Sequence, residues 1–192
     1  MVDGGYFDNI DRYAQNQHDK KLSLELLSEK LCGYFDVQHI RTKFYHSYPY
    51  QSEDPTKEER AVYSGKQSFF HAIDQKTNHQ FVERGRVRRQ HADCPECDAS
   101  FTTPKQKGVD VGIAVDLVEM ANENQGQAFI LVAGDEDLRH AVEIAKEKLC
   151  NVYLAFTADS QAGLYVSRKL ANEVDDGVNM KPNFLKDCVD DL

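Results

Sequence analysis

No apolar run in this 192-residue chain approaches the roughly 20 residues that a membrane-spanning helix needs, so no membrane contact is expected. The opening Met1-Val2-Asp3-Gly4-Gly5 has neither a basic leader nor an apolar stretch, and a secretory signal is not expected. Cysteines are few, odd in number and mostly scattered (Cys32, Cys94, Cys97, Cys150, Cys188), which suits reduced thiols in a cytoplasm and not a disulfide framework. A Gly-x-Ser-x-Gly elbow, a phosphate-binding P-loop and a dinucleotide Gly-x-Gly-x-x-Gly turn are all missing, as are internal repeats. Positive charge is also short: 23 Lys and Arg face 32 Asp and Glu, a net charge of −9. Nucleic-acid binding rests on neutralising phosphates, so the average argues against such a partner. The distribution argues the other way, because Arg84, Arg86, Arg88 and Arg89 stand together with Lys105 and Lys107 nearby, and the acids crowd the tail. A patch, not a sum, selects partners.

What is present is an ordinary globular composition, 41% hydrophobic and 29% charged, enough for one domain with its own core. Apolar residues at helical spacing between Tyr6 and Tyr34, with Ser23 as an N-cap, predict two helices broken near His18-Asp19-Lys20-Lys21. A β-branched and aromatic stretch over 37–48 predicts a strand, and Asp54-Pro55-Thr56 a helix start, with proline near the first turn. Residues 80–90 alternate as a strand or hairpin around Gly85, whereas 91–107, with two prolines and no period, reads as a loop or small insertion. From residue 109 onward helix and strand alternate, which predicts right-handed crossovers and a parallel sheet. The helix over 109–122 is apolar around nearly its whole circumference and is expected to be buried.

Three separated stretches place aspartate where a strand ends or a helix begins: Val2-Asp3-Gly4-Gly5, Lys107-Gly108-Val109-Asp110, and Val132-Ala133-Gly134-Asp135-Glu136-Asp137. In an open α/β sheet the carboxyl edge of the strands is where ligands bind. Carboxylates gathered there repel one another unless a cation sits among them, and oxygen-only ligands suit Mg²⁺ or Mn²⁺ better than zinc. Each aspartate also has a plain explanation, since acids cap helices and suit the first turn. Capping does not explain why Asp3 should end a strand as well. Asp116, mid-helix among apolar neighbours, reads as a buried, hydrogen-bonded support. Cys94-Pro95-Glu96-Cys97 is half a zinc site, with His79 and His91 as candidate completions, and a chance pair is the competing reading. A period of two would put Arg84, Arg86 and Arg88 on one strand face, where they suit a phosphate track; a charged edge strand is the alternative.

Taken in order, Val2-Asp3-Gly4-Gly5-Tyr6-Phe7, Lys107-Gly108-Val109-Asp110-Val111 with Ala114-Val115-Asp116-Leu117, Gly134-Asp135-Glu136-Asp137-Leu138, and the tail Ser167-Arg168-Lys169-Leu170 resemble the NYN domain. They are also similar to its LabA-like branch, within the PIN-like nuclease superfamily. The resemblance implies a single domain over residues 1–192: a parallel sheet with helices on both faces, Rossmann-like and three-layered, carrying an insertion at 79–107. It implies a cytoplasmic metal-dependent endoribonuclease in which Asp3, Asp110, Asp135 and Asp137 hold Mg²⁺ or Mn²⁺ and act in catalysis. Gly134, Asp116 and Ser167 would support the site, and a homodimer is the candidate assembly. On the residues alone, and not from the resemblance, RNA would be met by Arg84, Arg86, Arg88 and Lys107. Where the family often has Asn and Ser, this chain has Tyr6 and Ala133, and Leu138 replaces a common Phe. The alternative reading is a non-catalytic RNA-binding or regulatory module with a degenerate acidic site.

Overall fold

Two residues suffice for the central strand, because hydrogen bonds on both sides hold them. The computed structural model describes residues 1–94, 96, 97 and 99–190, without the side chains of 90–92, 101 and 104. Strand β1 (Val2–Asp3) pairs in parallel with β3 (Thr42–His46) on one side and β7 (Ala128–Val132) on the other. Beyond these lie β4 (His79–Glu83), β8 (Asn151–Phe156) and β9 (Asp176–Asn179), giving a six-stranded parallel sheet in the order β4-β3-β1-β7-β8-β9. The chain winds outward from β1 through β3 to β4, then crosses back and winds the other way through β7, β8 and β9. The boundary between β1 and β7 is therefore the topological switch point, where the loops after the strands part and leave a crevice.

Helices cover both faces. On one side lie α1 (Gly4–His18), α2 (Leu24–Tyr34), α3 (Lys57–Asp74) and the short α7 (Pro182–Leu185). On the other lie α4 (Val109–Asn122), α5 (Arg139–Glu147) and α6 (Arg168–Glu173). Alternation along the strands feeds two separate cores. Phe44, Val132 and Ala155 enter the first, while Tyr45, Leu131 and Leu154 enter the second. Strands buried on both faces must be apolar throughout, which is why 128–133 reads as one continuous apolar run. Short β2 (Lys21–Leu22) pairs with β10 (Val189–Asp190), clamping the chain's tail beside α1.

Helix α3 opens with a capping box, Thr56 and Glu59 exchanging bonds, with Pro55 immediately before the N-cap, near the first turn as expected. Several expectations need correction. Helix α4 is not buried all round: Val111 is 65% exposed and Val115 49%. The stretch expected to be a loop is half of a hairpin, β5 (Arg86–Asp93) against β6 (Ser100–Lys107). Residues 79–83, placed within an insertion, are instead the edge strand of the main sheet, and the added element begins at Arg86. Strand β9, α7 and β10 were not foreseen, being short and highly charged or proline-led. Among the described residues, no helix is long and apolar enough to cross a membrane.

Candidate active site

Strand β1 passes into α1 with no loop between them. Asp3 is thus both the last strand residue and the helix N-cap, its Oδ1 accepting from the Gly5 and Tyr6 amides at 2.9 and 3.3 Å. Asp110 stands in the first turn of α4, whose N-cap Gly108 has a left-handed backbone. Asp135 follows β7 and caps the 3₁₀ turn Glu136–Leu138, accepting from the Asp137 amide at 3.3 Å. Three elements therefore deliver an aspartate each to the crevice at the switch point, a cleft of about 560 Å³ lined by Asp3, Asp110 and Asp135.

The charges in this cleft are under strain. Burial, reinforced by the nearby Asp110 carboxylate, pushes Asp3 up to about 6 against the helix-capping bonds that oppose it. Asp110 is raised in turn, by burial first and then by Asp135 and Asp137. Desolvation and like charge both disfavour the ionised form, and a bound cation reverses both. Asp137 does not line the cleft, but its charge acts on Asp110. Among the described residues, no three His, Cys, Asp or Glu stand close enough to hold an ion as the side chains lie. The hydrogen bonds give a reason: Asp3 and Asp135 each turn one oxygen to the N–H groups of their own helical turn.

Gly134 is required here. A Cβ on it would come within 2.8 Å of both the Tyr165 carbonyl and the Tyr6 ring. That close approach accounts for Tyr6, the departure at the family's Asn position. Its hydroxyl donates to the Thr157 carbonyl and accepts from the Thr157 amide, at 3.1 and 3.0 Å, locking α1 to the end of β8. Ala133 is buried, filling the second core. Ser167 caps α6 and donates to Glu136 at 3.4 Å, and its amide bonds the Gly134 carbonyl at 2.9 Å, so it buttresses the loop that carries Asp135.

Other expected residues fall elsewhere. Asp116 is 7% exposed and accepts from Tyr45 at 3.0 Å and Arg84 at 3.1 Å, so it is a buried, hydrogen-bonded carboxylate. Arg84 is thereby taken off the arginine face: Gly85, with φ +73, turns the chain between β4 and β5 and breaks the period. Arg86, Arg88 and Lys107 remain on the hairpin, and Lys107 lines the cleft. Cys94 and Cys97 sit in the turn joining β5 to β6. The candidate zinc partner His79 lies in the main sheet against His39, and the side chain of His91 is outside the described residues. The cleft also gains Asn9, Gln106, Glu136 and Tyr165, which the sequence did not single out. Only Glu136, between two aspartates, carried a signal. Gln106 needed the hairpin register to be found, and its Nε2 is buried with no hydrogen-bond partner among the described residues.

Comparison with known proteins points in one direction. A profile of the NYN domain matches residues 7–178. The chain is 42% identical over 50 residues to the uncharacterized protein y4oD of Sinorhizobium fredii, a segment that covers 26% of this chain and 23% of that protein. No solved structure matches.

Proposed function

The chain belongs to the NYN domain family, and from that premise we propose that it is a metal-dependent ribonuclease of the LabA-like branch, acting in the cytoplasm on RNA phosphodiester bonds. The observation that carries this reading is the convergence of Asp3, Asp110 and Asp135, from three separate elements, on one cleft where their negative charge is costly. The donor set fits a hard divalent cation, all oxygen and carboxylate-rich, and Mg²⁺ or Mn²⁺ would be held by Asp3, Asp110 and Asp135, with Asp137 adding charge. Such an ion supplies an activated water at neutral pH and charge stabilisation at the phosphate. The protein's own contributions are positional. The cap on α1 fixes Asp3, Gly134 and Ser167 fix the Asp135 loop, and Lys107 presents a cation to the phosphate beside the cleft. The Gln106 Nε2, which has no hydrogen-bond partner among the described residues, would offer a neutral donor to a phosphate oxygen.

The test is incubation of labelled RNA with purified protein and Mn²⁺, with EDTA and Asp135→Asn as controls. Cleavage is expected to require both metal and Asp135. Cleavage that survives both controls is contamination, and no cleavage across many RNAs returns the protein to the alternative, a binding or regulatory module. One observation favours that alternative: among the described residues, the carboxylates are not drawn together into a ligand cage as the side chains lie.

Gln106 allows a sharper check. A buried donor without a partner costs about 1–3 kcal/mol. Gln106→Leu is therefore expected to leave stability unchanged or raise it by about 1 kcal/mol, while turnover of RNA falls. A loss of stability in a chemical-denaturation curve would mean that the amide is satisfied within the protein and has no role toward substrate.

A further inference from the structure

The β5–β6 hairpin has two unlike faces. Antiparallel partners share a face, so Arg86 with Lys107, and Arg88 with Lys105, form a ladder of four cations on one side. All four are exposed, and none has a carboxylate partner among the described residues. The other face, carrying Val87 and Arg89, turns toward the body, where Arg89 stacks on Tyr50 at 4.4 Å and pairs with Glu59 at 3.2 Å. Like charges placed directly opposite destabilise a strand pair. In a chain of net charge −9, acids to neutralise them are plentiful, yet none is placed there. The ladder ends at Lys107, which lines the acidic cleft.

We propose that this face is a binding arm for the phosphodiester backbone of single-stranded RNA, leading it to the cleft and holding it independently of the acidic residues. Along a strand, same-face side chains repeat at roughly 6.6–6.8 Å. Two such rows present guanidinium and ammonium groups to successive phosphates, with arginine able to take each bidentately. A single strand bends to follow a short twisted ribbon; a stiff duplex does not follow it over the same length. The proposal rests on the ribonuclease reading only for the identity of the nucleic acid.

The experiment measures binding in EDTA, so that the acidic site takes no part, using a fluorescein-labelled 20-nucleotide RNA and the otherwise intact Asp135→Asn protein. Each phosphate contact on a single strand contributes about 0.7 to the slope of log affinity against log salt. Replacing Arg86, Arg88 and Lys105 together by glutamine should reduce that slope by about 2 and weaken binding at least tenfold. The melting temperature should hold or rise, since like-charge pairs are relieved, which separates lost binding from lost folding. An unchanged slope overturns the proposal. So does equal binding of poly-glutamate, which would make this an acidic-peptide surface, or tighter binding of duplex than of single strand. Hairpin-dependent binding, with no RNA cleavage by the unaltered protein in Mn²⁺, sinks the ribonuclease reading and leaves the arm standing, whereas metal-dependent cleavage by the unaltered protein with an unchanged salt slope in the hairpin variant does the reverse.

Discussion

Asp3→Asn is expected to make the metal-free protein more stable at pH 7.5 and to abolish most of the stabilisation that Mn²⁺ gives the unaltered chain. Asp3 is raised from 3.8 to about 6 by burial and the Asp110 carboxylate. The native state therefore holds this proton more tightly than the unfolded chain does. Its contribution to stability is complete below the unfolded value near 4, and is lost as pH rises through about 6. A shift of about two units corresponds to about 2–3 kcal/mol at neutral pH. Asparagine keeps the capping oxygen for the Gly5 and Tyr6 amides but carries no charge, so the cap survives while the repulsion goes. For a chain of this size, about 2 kcal/mol moves the melting temperature by roughly 4–8 °C. Thermal melts in EDTA at pH 4.5, 6 and 7.5 should thus show a steeper decline in the unaltered protein than in the variant, which keeps only the share due to Asp110. Added Mn²⁺ should raise the first much more than the second, because a ligand stabilises in proportion to its affinity for the native state. A variant less stable than its parent in EDTA at pH 7.5, or equally responsive to Mn²⁺, would show that Asp3 serves as a helix cap alone.

How much of this was legible beforehand depended on whether the signal was local. The second half of the sheet could be read because buried parallel strands such as β7 and β8 are runs of apolar residues, and α5 has a clean amphipathic stripe. The addresses of Asp3, Asp110 and Asp135 could also be read, since each sits at a junction where glycine or an abrupt change of period marks the end of an element. The hairpin could not. Its second strand, Ser100–Lys107, has no apolar alternation, since none of its described side chains joins either core, and Pro104 argues locally against a strand. Arg84 and Arg86 look equivalent in a period-two pattern until Gly85 turns the backbone and sends Arg84 to Asp116. The exposure of Val111 and Val115 was hidden for a similar reason: composition tells how apolar a helix is, but only the neighbours tell which side they cover. Gln106 shows the limit most directly, as its place in the cleft follows from pairing with Val87 and from nothing in its own vicinity.

The tie between Arg84 and Asp116 leads to the second large effect. Asp116 is reached by three groups: the Tyr45 hydroxyl at 3.0 Å, Arg84 at 3.1 Å and Lys43 at 3.7 Å. Tyr45 is fully buried, so its hydroxyl has no water to turn to, and depriving it of its acceptor costs about 1–3 kcal/mol. The arginine side chain is 45% exposed, and its share must be discounted to well under 1 kcal/mol, since water can replace the carboxylate there. Asp116→Ala is accordingly expected to lose about 1–4 kcal/mol, while Tyr45→Phe should lose about 1 kcal/mol. In the double variant the hydroxyl is no longer orphaned, and the combined loss should fall short of the sum. The consequence reaches the hairpin because Arg84 also packs its stem where a Cβ on Gly112 would stand, tying the root of β5 to α4 and hence to Asp110. With that tie cut, limited trypsin digestion should open the chain at Arg84–Lys107 well before the sheet unfolds, and RNA affinity in EDTA should fall although no cation of the ladder has been touched. If digestion of Asp116→Ala instead proceeds at the rate set by global unfolding, the network stabilises the second core and does nothing to hold the arm in place.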